Sequence, residues 1–410
     1  MNLAAIALRN IRRNRRRSLL SGTAIALSAL IIACMFSILA GISEDYRSNV
    51  TRYITGHVRL RNREYDANEQ LNPLHLSVPG YTGLDERLEA LPGVLAAAPR
   101  IQFATAIYRD GRTYAGLGLG VDFQREGAVM RPDKAVVRGL LPRMGERELA
   151  LSVGLAEELG AEVGQRITLF GKNKYLGMSG MTFGVTALVR FPVAGFNRSF
   201  FLLPIDTAGR FLKMPGEATE VLLLLADSRR QDQVAAEANR LLAGAGMSEV
   251  RALPAERIGN WHNLLRLMDS SYNVIALFFF ILGTTVIVNT TMMVIFERMR
   301  EIGTVAALGM TPAQIVTLFF LESLAIAVLA ALAGVALALA ITAALSRTGI
   351  DMSGPLQGVG FEVNPVIYPR ISLRSTLLVF LYSVAVSALA SFLPSRRAAR
   401  IEPVEALRSL

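Results

Sequence analysis

Four charges fall within five positions at Glu297-Arg298-Met299-Arg300-Glu301. On a helix, Glu297 lies beside Arg300 and Arg298 beside Glu301, opposite charges three residues apart. Such a set breaks no bonds; it keeps a helix face polar, or offers that face to a partner. Met299, Ile302, Ala306 and Met310 recur on another face. Gly309 is placed to stop the helix with a positive φ. Thr311-Pro312-Ala313-Gln314 then starts a new one, with Thr as N-cap, Pro at the first helical position and Gln closing a capping box. Residues 297–322 therefore read as a short rigid helix, a sharp break and a second helix, a lever that a docking partner could push. Glu322 comes just before an uncharged run. Its carboxylate is satisfied at a membrane interface by helix neighbours or the Arg-rich terminus, or it relays protons; no nearby acid or histidine supports the relay.

Catalytic chemistry is hard to find. The three histidines, His57, His75 and His262, are far apart in sequence, and no Cys/His set has metal spacing. No H-E-x-x-H, G-x-S-x-G or Walker A pattern occurs. Phe170-Gly171-Lys172 lacks both the earlier Gly and the following Ser/Thr, and Gly116-Leu117-Gly118-Leu119-Gly120 lies in a strand pattern with no helix after it. Energy for any work must come from another chain, although a membrane enzyme stays open.

These residues are carried by membrane-spanning elements. Residues 19–42, 273–296, 323–346 and 375–393 contain no Asp, Glu, Lys or Arg and run 24, 24, 24 and 19 residues. About 20 such residues cross the hydrocarbon as a helix, so four spans are predicted. The formal charge of +10 is concentrated at the ends. Residues 43–272 hold 28 Lys+Arg against 26 Asp+Glu, whereas the first 18 residues carry six arginines and no acid. Basic ends abutting apolar runs orient a chain and contact lipid headgroups, so nucleic acid is not the expected partner. Both termini are expected in the cytoplasm. Residues 43–272 and 347–374 are then extracytoplasmic, and 297–322 and 394–410 cytoplasmic. A cleaved signal peptide would have a shorter apolar core than residues 19–42. The lone cysteine, Cys34, lies in the first run, so no disulfide within the chain staples the outer domain.

Leu3, Ala7, Leu8 and Ile11 oppose Arg9, Arg12, Arg13 and Arg16 at helical spacing, which predicts an interfacial helix over residues 1–18. Ile42, Tyr46, Val50 and Tyr53 prolong the first helix beyond the bilayer. Ile258, Trp261, Leu265, Met268 and Tyr272 do the same ahead of the second, as a paired stalk. The domain between them reads as α+β. Strands are expected at 57–61, 101–108, 113–121, 166–170, 183–191, 199–203 and 221–226, with Asp110-Gly111 as a hairpin turn. Helices are expected at 151–159, after Ser152, and at 232–242, and a mobile loop at 172–181.

The run Glu297–Gly303, Ala307-Leu308-Gly309-Met310 and Glu322-Ser323 resembles the FtsX/MacB-type ABC-transporter permeases. The ending Leu393-Pro394-Ser395-Arg396-Arg397-Ala398-Ala399-Arg400-Ile401-Glu402-Pro403-Val404-Glu405-Ala406-Leu407-Arg408 resembles that family's terminal signature. Residues 149–169 and 183–210 look like its periplasmic core domain. The resemblance implies a fold of four transmembrane helices, one plus three, with an extracytoplasmic α+β domain on a helical stalk, in a bacterial inner membrane. It implies mechanotransmission: a cytoplasmic ATPase dimer, which binds the ATP and Mg, drives two permease chains, identical or paralogous. No cofactor is implied in this chain. The implied ATPase-coupling residues are Glu297, Arg298, Arg300, Glu301, Ile302, Gly303, Ala306, Leu308 and Gly309, with Arg396, Arg397, Arg400, Pro403 and Leu407 as tail contacts.

Within the family, Gly56-His57-Val58-Arg59 and the loop 347–374, with Ile350-Asp351 and Tyr368-Pro369, are similar to the lipoprotein-releasing (Lol) permeases. That implies a lipoprotein or other amphipathic substrate entering a cavity between the first two spans, with Met35, Phe36, Leu39, Val274, Leu277 and Phe278 as candidate lining; helix packing or lipid contact is their plainer role. A periplasmic carrier could be recruited by residues 172–181. MacB-like efflux of drugs or peptides, an FtsX-like signalling permease controlling cell-wall hydrolases, and a membrane scaffold without an ATPase are the competing readings.

Overall fold

The computed structural model describes residues 3–192, 194–297, 299–351 and 366–398. These form two compact units, one from residues 3–44, 267–351 and 366–398, the other from 45–266.

The first unit is helical. Helices Leu3–Arg13, Arg15–Val50, Gly259–Glu297, Met299–Ala307, Pro312–Thr348 and Leu373–Ala398 follow in order. Four segments, Ser18–Thr55, Ser270–Met293, Pro312–Thr348 and Leu373–Phe392, are long and apolar enough to cross a membrane, with mean hydropathies of 2.6, 2.1, 2.8 and 1.9. Each contains most of one uncharged run, and a helix alone can satisfy its backbone in hydrocarbon without a partner. Small residues let the helices approach: Ala29, Ile32, Ala33 and Phe36 pack with Ala276, Val335, Ala338 and Val379. The Tyr382 hydroxyl donates to the Phe280 carbonyl, burying a polar group with a partner. After helix Pro312–Thr348, Ile350–Asp351 pairs antiparallel with Val366–Ile367. The Arg370 N–H then donates to the Ser37 carbonyl at 2.9 Å.

The second unit is α+β. Across its ten-stranded sheet run Val250–Pro254, Val58–Asn62, Glu220–Leu225, Val94–Arg109, Arg112–Val121, Phe200–Pro204, Glu148–Ser152, Met178–Val189 and Val136–Gly139. The tenth strand, Arg166–Lys172, pairs with both Val94–Arg109 and Met178–Val189. Six strands thus close into a ring, whose core includes Phe103, Leu151, Leu169, Phe183, Phe201 and Phe211. The long strand Val94–Arg109 continues into a second lobe. There Val58, Leu60, Leu223 and Val250 pack beneath the helices Tyr81–Glu89 and Gln231–Gly244 through Leu84, Leu88, Val234 and Ala238.

The expected hairpin is present, with Arg109 opposite Arg112 and Asp110 and Gly111 both at positive φ, 49° and 80°, as a type I′ turn requires. The Gly116–Gly120 run serves packing: a Cβ on Gly118 would lie 2.2 Å from the Phe103 ring. The helix expected after Ser152 is present as Val153–Leu159, while Leu151 and Ser152 themselves end the strand Glu148–Ser152, held between Met178–Val189 and Phe200–Pro204. One expectation needs correction. Residues 172–181 are not a loop: Lys172 pairs with Met178 in a hairpin whose connection is Asn173–Gly177.

The strand Val58–Asn62 buries both of its arginines, Arg59 and Arg61. Arg61 meets Glu220 at 2.7 Å and Glu69 at 2.7 Å, and Arg59 meets Asp66 at 3.0 Å. Buried charges persist only when paired in this way. His57 ends the same strand region, where its Nδ1 accepts the Leu225 N–H at 2.9 Å. Burial first, and then the Arg52 charge, hold its pKa below the ordinary imidazole value. The unfolded chain therefore takes up a proton at higher pH than the folded one. Stability is complete above the unfolded pKa of about 6.5 and declines as pH falls toward the depressed folded value. His57→Gln is expected to flatten the acid side of a melting-temperature profile; an unaltered slope would contradict this.

Candidate functional site

The segment after Glu297 is an elbow built by local sequence. Helix Met299–Ala307 ends in a Schellman turn: the Met310 N–H donates to Val305 C=O at 3.4 Å and the Gly309 N–H to Ala306 C=O at 3.0 Å, with Gly309 at φ 93°. Thr311 then caps helix Pro312–Thr348 in a capping box with Gln314, its N–H 3.0 Å from Gln314 Oε1. Ile302, Val305, Ala306 and Met310 pack on Ile315, Val316 and Phe319, so the elbow is one rigid piece. At its tip Leu308 is 81% exposed, an apolar side chain presented on a fixed turn.

A second site lies where the helix Arg15–Val50 enters the α+β unit through the π turn Thr51–Thr55. Arg100, on the strand Val94–Arg109, is fully buried and donates to the Tyr53 carbonyl at 2.7 Å and the Arg52 carbonyl at 2.9 Å. These are carbonyls a helix end leaves without partners. Its other N–H groups hold Glu126, also fully buried, with Nη2 2.9 Å from Oε2. Burial alone disfavours the charge, but the charge and hydrogen bond of Glu126, with Glu220 and Tyr53 adding to them, outweigh it together, and the guanidinium pKa lies above its ordinary value. In the reverse direction Arg52 donates to the Val129 carbonyl at 3.1 Å and the Tyr53 hydroxyl to the Met130 carbonyl at 3.2 Å. The helix end, the strand and helix Phe123–Val129 are thereby clasped together.

A third feature is the Asn173–Gly177 hairpin tip. Asn173 Oδ1 accepts the Tyr175 and Gly177 N–H groups at 3.0 and 3.1 Å, which fixes the tip while Tyr175 and Leu176 stand 73% and 75% exposed. Among the described residues, no group of three or more His, Cys, Asp or Glu could hold a metal ion.

Comparison with known proteins agrees with this architecture. The FtsX-like permease C-terminal model matches residues 273–403. The MacB-like periplasmic core domain model matches residues 18–241, more than half of the chain. The chain belongs to the FtsX/MacB-type permeases. It is 24% identical to the lipoprotein-releasing system transmembrane protein LolC of Neisseria meningitidis, over 99% of this chain and 98% of that protein. It is 22% identical to the macrolide export ATP-binding/permease protein MacB of Psychrobacter cryohalolentis, over 98% of this chain but only 58% of that protein. The periplasmic region of MacB from Actinobacillus actinomycetemcomitans superposes with a TM-score of 0.37 at 12% identity, covering 51% of this chain and 93% of that one.

In this ABC-transporter permease the expected site residues fall into three groups. Leu308 and Gly309 are exposed, Glu301 and Ala306 half-buried, Ile302 buried within the chain's own elbow, and Gly303 buried. Of the tail contacts, Arg396 is exposed on helix Leu373–Ala398, which also carries Arg397; Arg400, Pro403 and Leu407 lie outside the described residues, as does Arg298. Glu297 and Arg300 are placed as helix backbone. The candidate cavity residues separate as well. Val274, Leu277 and Phe278 are exposed, and Met35 and Leu39 half-buried. Phe36 is committed to helix packing between Tyr272 and Phe280, ring centroids 6.0 and 5.3 Å away. Glu322 is buried, at 1% exposure. Sequence reasoning missed the Arg100–Glu126 clasp. A single cation in the apolar run Leu95–Phe103 signalled a buried pair, but nothing in the spacing named its partner.

Proposed function

We propose that this chain is a non-catalytic permease subunit that couples ATP hydrolysis by a separate cytoplasmic ATPase dimer to release of lipoproteins from the inner membrane. The observation that carries the reading is the end-to-end correspondence with a lipoprotein-releasing transmembrane protein, 99% of one chain against 98% of the other. The MacB relative, named for both ATP binding and permease, extends well beyond the matched region. The present chain has no Walker A sequence, so ATP and Mg belong to a partner. A second permease chain, identical or paralogous, completes the complex.

In this reading the ATPase engages the elbow at Leu308 and the basic tail, and moves the helix Arg15–Val50. That helix delivers the displacement through the Arg100 clasp to the core domain outside the membrane. The exposed outward face of helix Gly259–Glu297, with Val274, Leu277 and Phe278, suits acyl chains, and the rigid hairpin tip suits an incoming periplasmic carrier. Both termini lie in the cytoplasm. In a Cys34→Ala background, Lys172→Cys is expected to react with an impermeant thiol reagent applied outside, and Thr304→Cys to be protected; the reverse pattern contradicts the topology.

The test of function is release of a lipid-modified protein from proteoliposomes holding the complex purified from native membrane. Release is expected to need ATP. It is expected to fall about tenfold or more when Tyr175 and Leu176 are both replaced by Ser, since exposed anchors of this kind dominate interfaces, while ATP hydrolysis is unchanged. Hydrolysis stimulated by macrolides or peptides but not by lipoprotein would favour the efflux reading instead.

A further inference from the structure

Beside the clasp, the core domain holds a cavity of about 340 Å³, within the roughly 300–1,000 Å³ typical of small-ligand sites. Its lining includes Ser48 and Asn49 from the end of the long helix, Arg52 from the π turn, and Arg131, Lys134 and Arg190. Four lining side chains are cationic and none is acidic. Among the described residues, Arg131, Lys134 and Arg190 are exposed and have no ion-pair partner.

The acids close by in sequence do not neutralise this set. Glu126 holds Arg100, and Asp133, although between Arg131 and Lys134 in sequence, does not line the cavity. Arg131 occupies an unusual place. It sits at φ 54° and closes helix Phe123–Val129 by donating its N–H to the Glu126 carbonyl at 2.9 Å, a position generally filled by glycine or asparagine. Cations gathered without a counter-charge repel one another, and a bound anion relieves that repulsion. Guanidinium groups present planar forks that match phosphate oxygens, and an ammonium adds a point charge. The Ser48 hydroxyl and Asn49 amide supply neutral hydrogen bonds of the kind that ester or glycerol oxygens accept.

We propose that this cavity binds a phosphate-bearing anion, a phospholipid headgroup or free phosphate, through Arg131, Lys134 and Arg190, with Arg52, Ser48 and Asn49 completing the site. Such a ligand touches the end of the long helix and the core domain at once, and so ties the two together at the clasp.

The test is calorimetric titration of the full chain in uncharged detergent with two probes, inorganic phosphate and a short-chain phosphatidylglycerol kept below its micelle concentration. Saturable binding of at least one probe is expected. In the Arg131→Gln/Lys134→Gln/Arg190→Gln variant it should weaken by about tenfold or more, the loss that follows when several charge-assisted hydrogen bonds are removed. In a control with two other exposed cations of the domain changed, Arg138→Gln/Arg166→Gln, it should persist. The tighter probe identifies the source: phosphatidylglycerol for a lipid headgroup, inorganic phosphate for the free ion. Lys134→Gln alone, at an exposed position, should weaken binding without altering the circular dichroism spectrum, which separates lost binding from lost folding. The proposal is overturned if neither probe binds the wild type saturably, if the triple variant binds as the wild type does, or if the control loses as much. None of these readouts involves ATP, lipoprotein or a second chain, so the site stands or falls apart from the function proposed above.

Discussion

Replacing Arg100 by methionine is expected to destabilise the core domain by about 3–5 kcal/mol, the cost of leaving a buried charge without its partner. Glu126 would remain at 0% exposure with its counter-ion gone, and the Arg52 and Tyr53 carbonyls would lose their donors. The double variant Arg100→Met/Glu126→Leu should recover part of this loss, because an apolar pair of similar volume often replaces an ion pair at little cost. Full recovery is not expected, since each stranded carbonyl still costs about 1–3 kcal/mol. Urea denaturation of the full chain in detergent, followed by its β-sheet circular dichroism signal, measures all three proteins. A single variant as stable as the wild type would show that the clasp is not the joint described here.

The second large effect concerns Leu308. Leu308→Glu places a charge at an 81% exposed position, so folding stability should change by no more than about 0.5 kcal/mol. Association with the ATPase should nevertheless weaken by about 2 kcal/mol or more, roughly thirtyfold, if Leu308 is an apolar anchor at that interface. Gly303 is a poorer probe of docking. It is buried in the chain itself, so a bulky side chain there would disturb the chain's own packing as well as any partner's.

The contrast between Leu308 and Gly303 illustrates what one sequence can convey. The elbow was legible because its determinants are local: Gly309, Thr311, Pro312 and Gln314 act within one turn of each other. The four spans and the Asp110-Gly111 hairpin were legible for the same reason. Orientation of a helix face was less so, since Ile302 and Leu308 are both apolar and only the position of Ile315 and Phe319 decides which is covered. The hairpin over residues 172–181 was hidden because its Gly, Lys and Met content matches a loop, while its pairing with Arg166–Lys172 is set by register. Arg59 and Arg61 alternate as an exposed strand face would. Their burial depends on Glu220, 159 residues beyond Arg61, a contact that no local pattern encodes.

Coupling of this kind requires that work done by an ATPase on one side of the membrane reach a domain on the other. The most direct test is affinity purification of the tagged chain from its native membrane, with ATP hydrolysis measured in the eluate. An ATPase chain should co-elute and hydrolyse ATP for the wild type, and both should fall together for Leu308→Glu. An intact wild-type chain that elutes with no nucleotide hydrolysis would contradict the account.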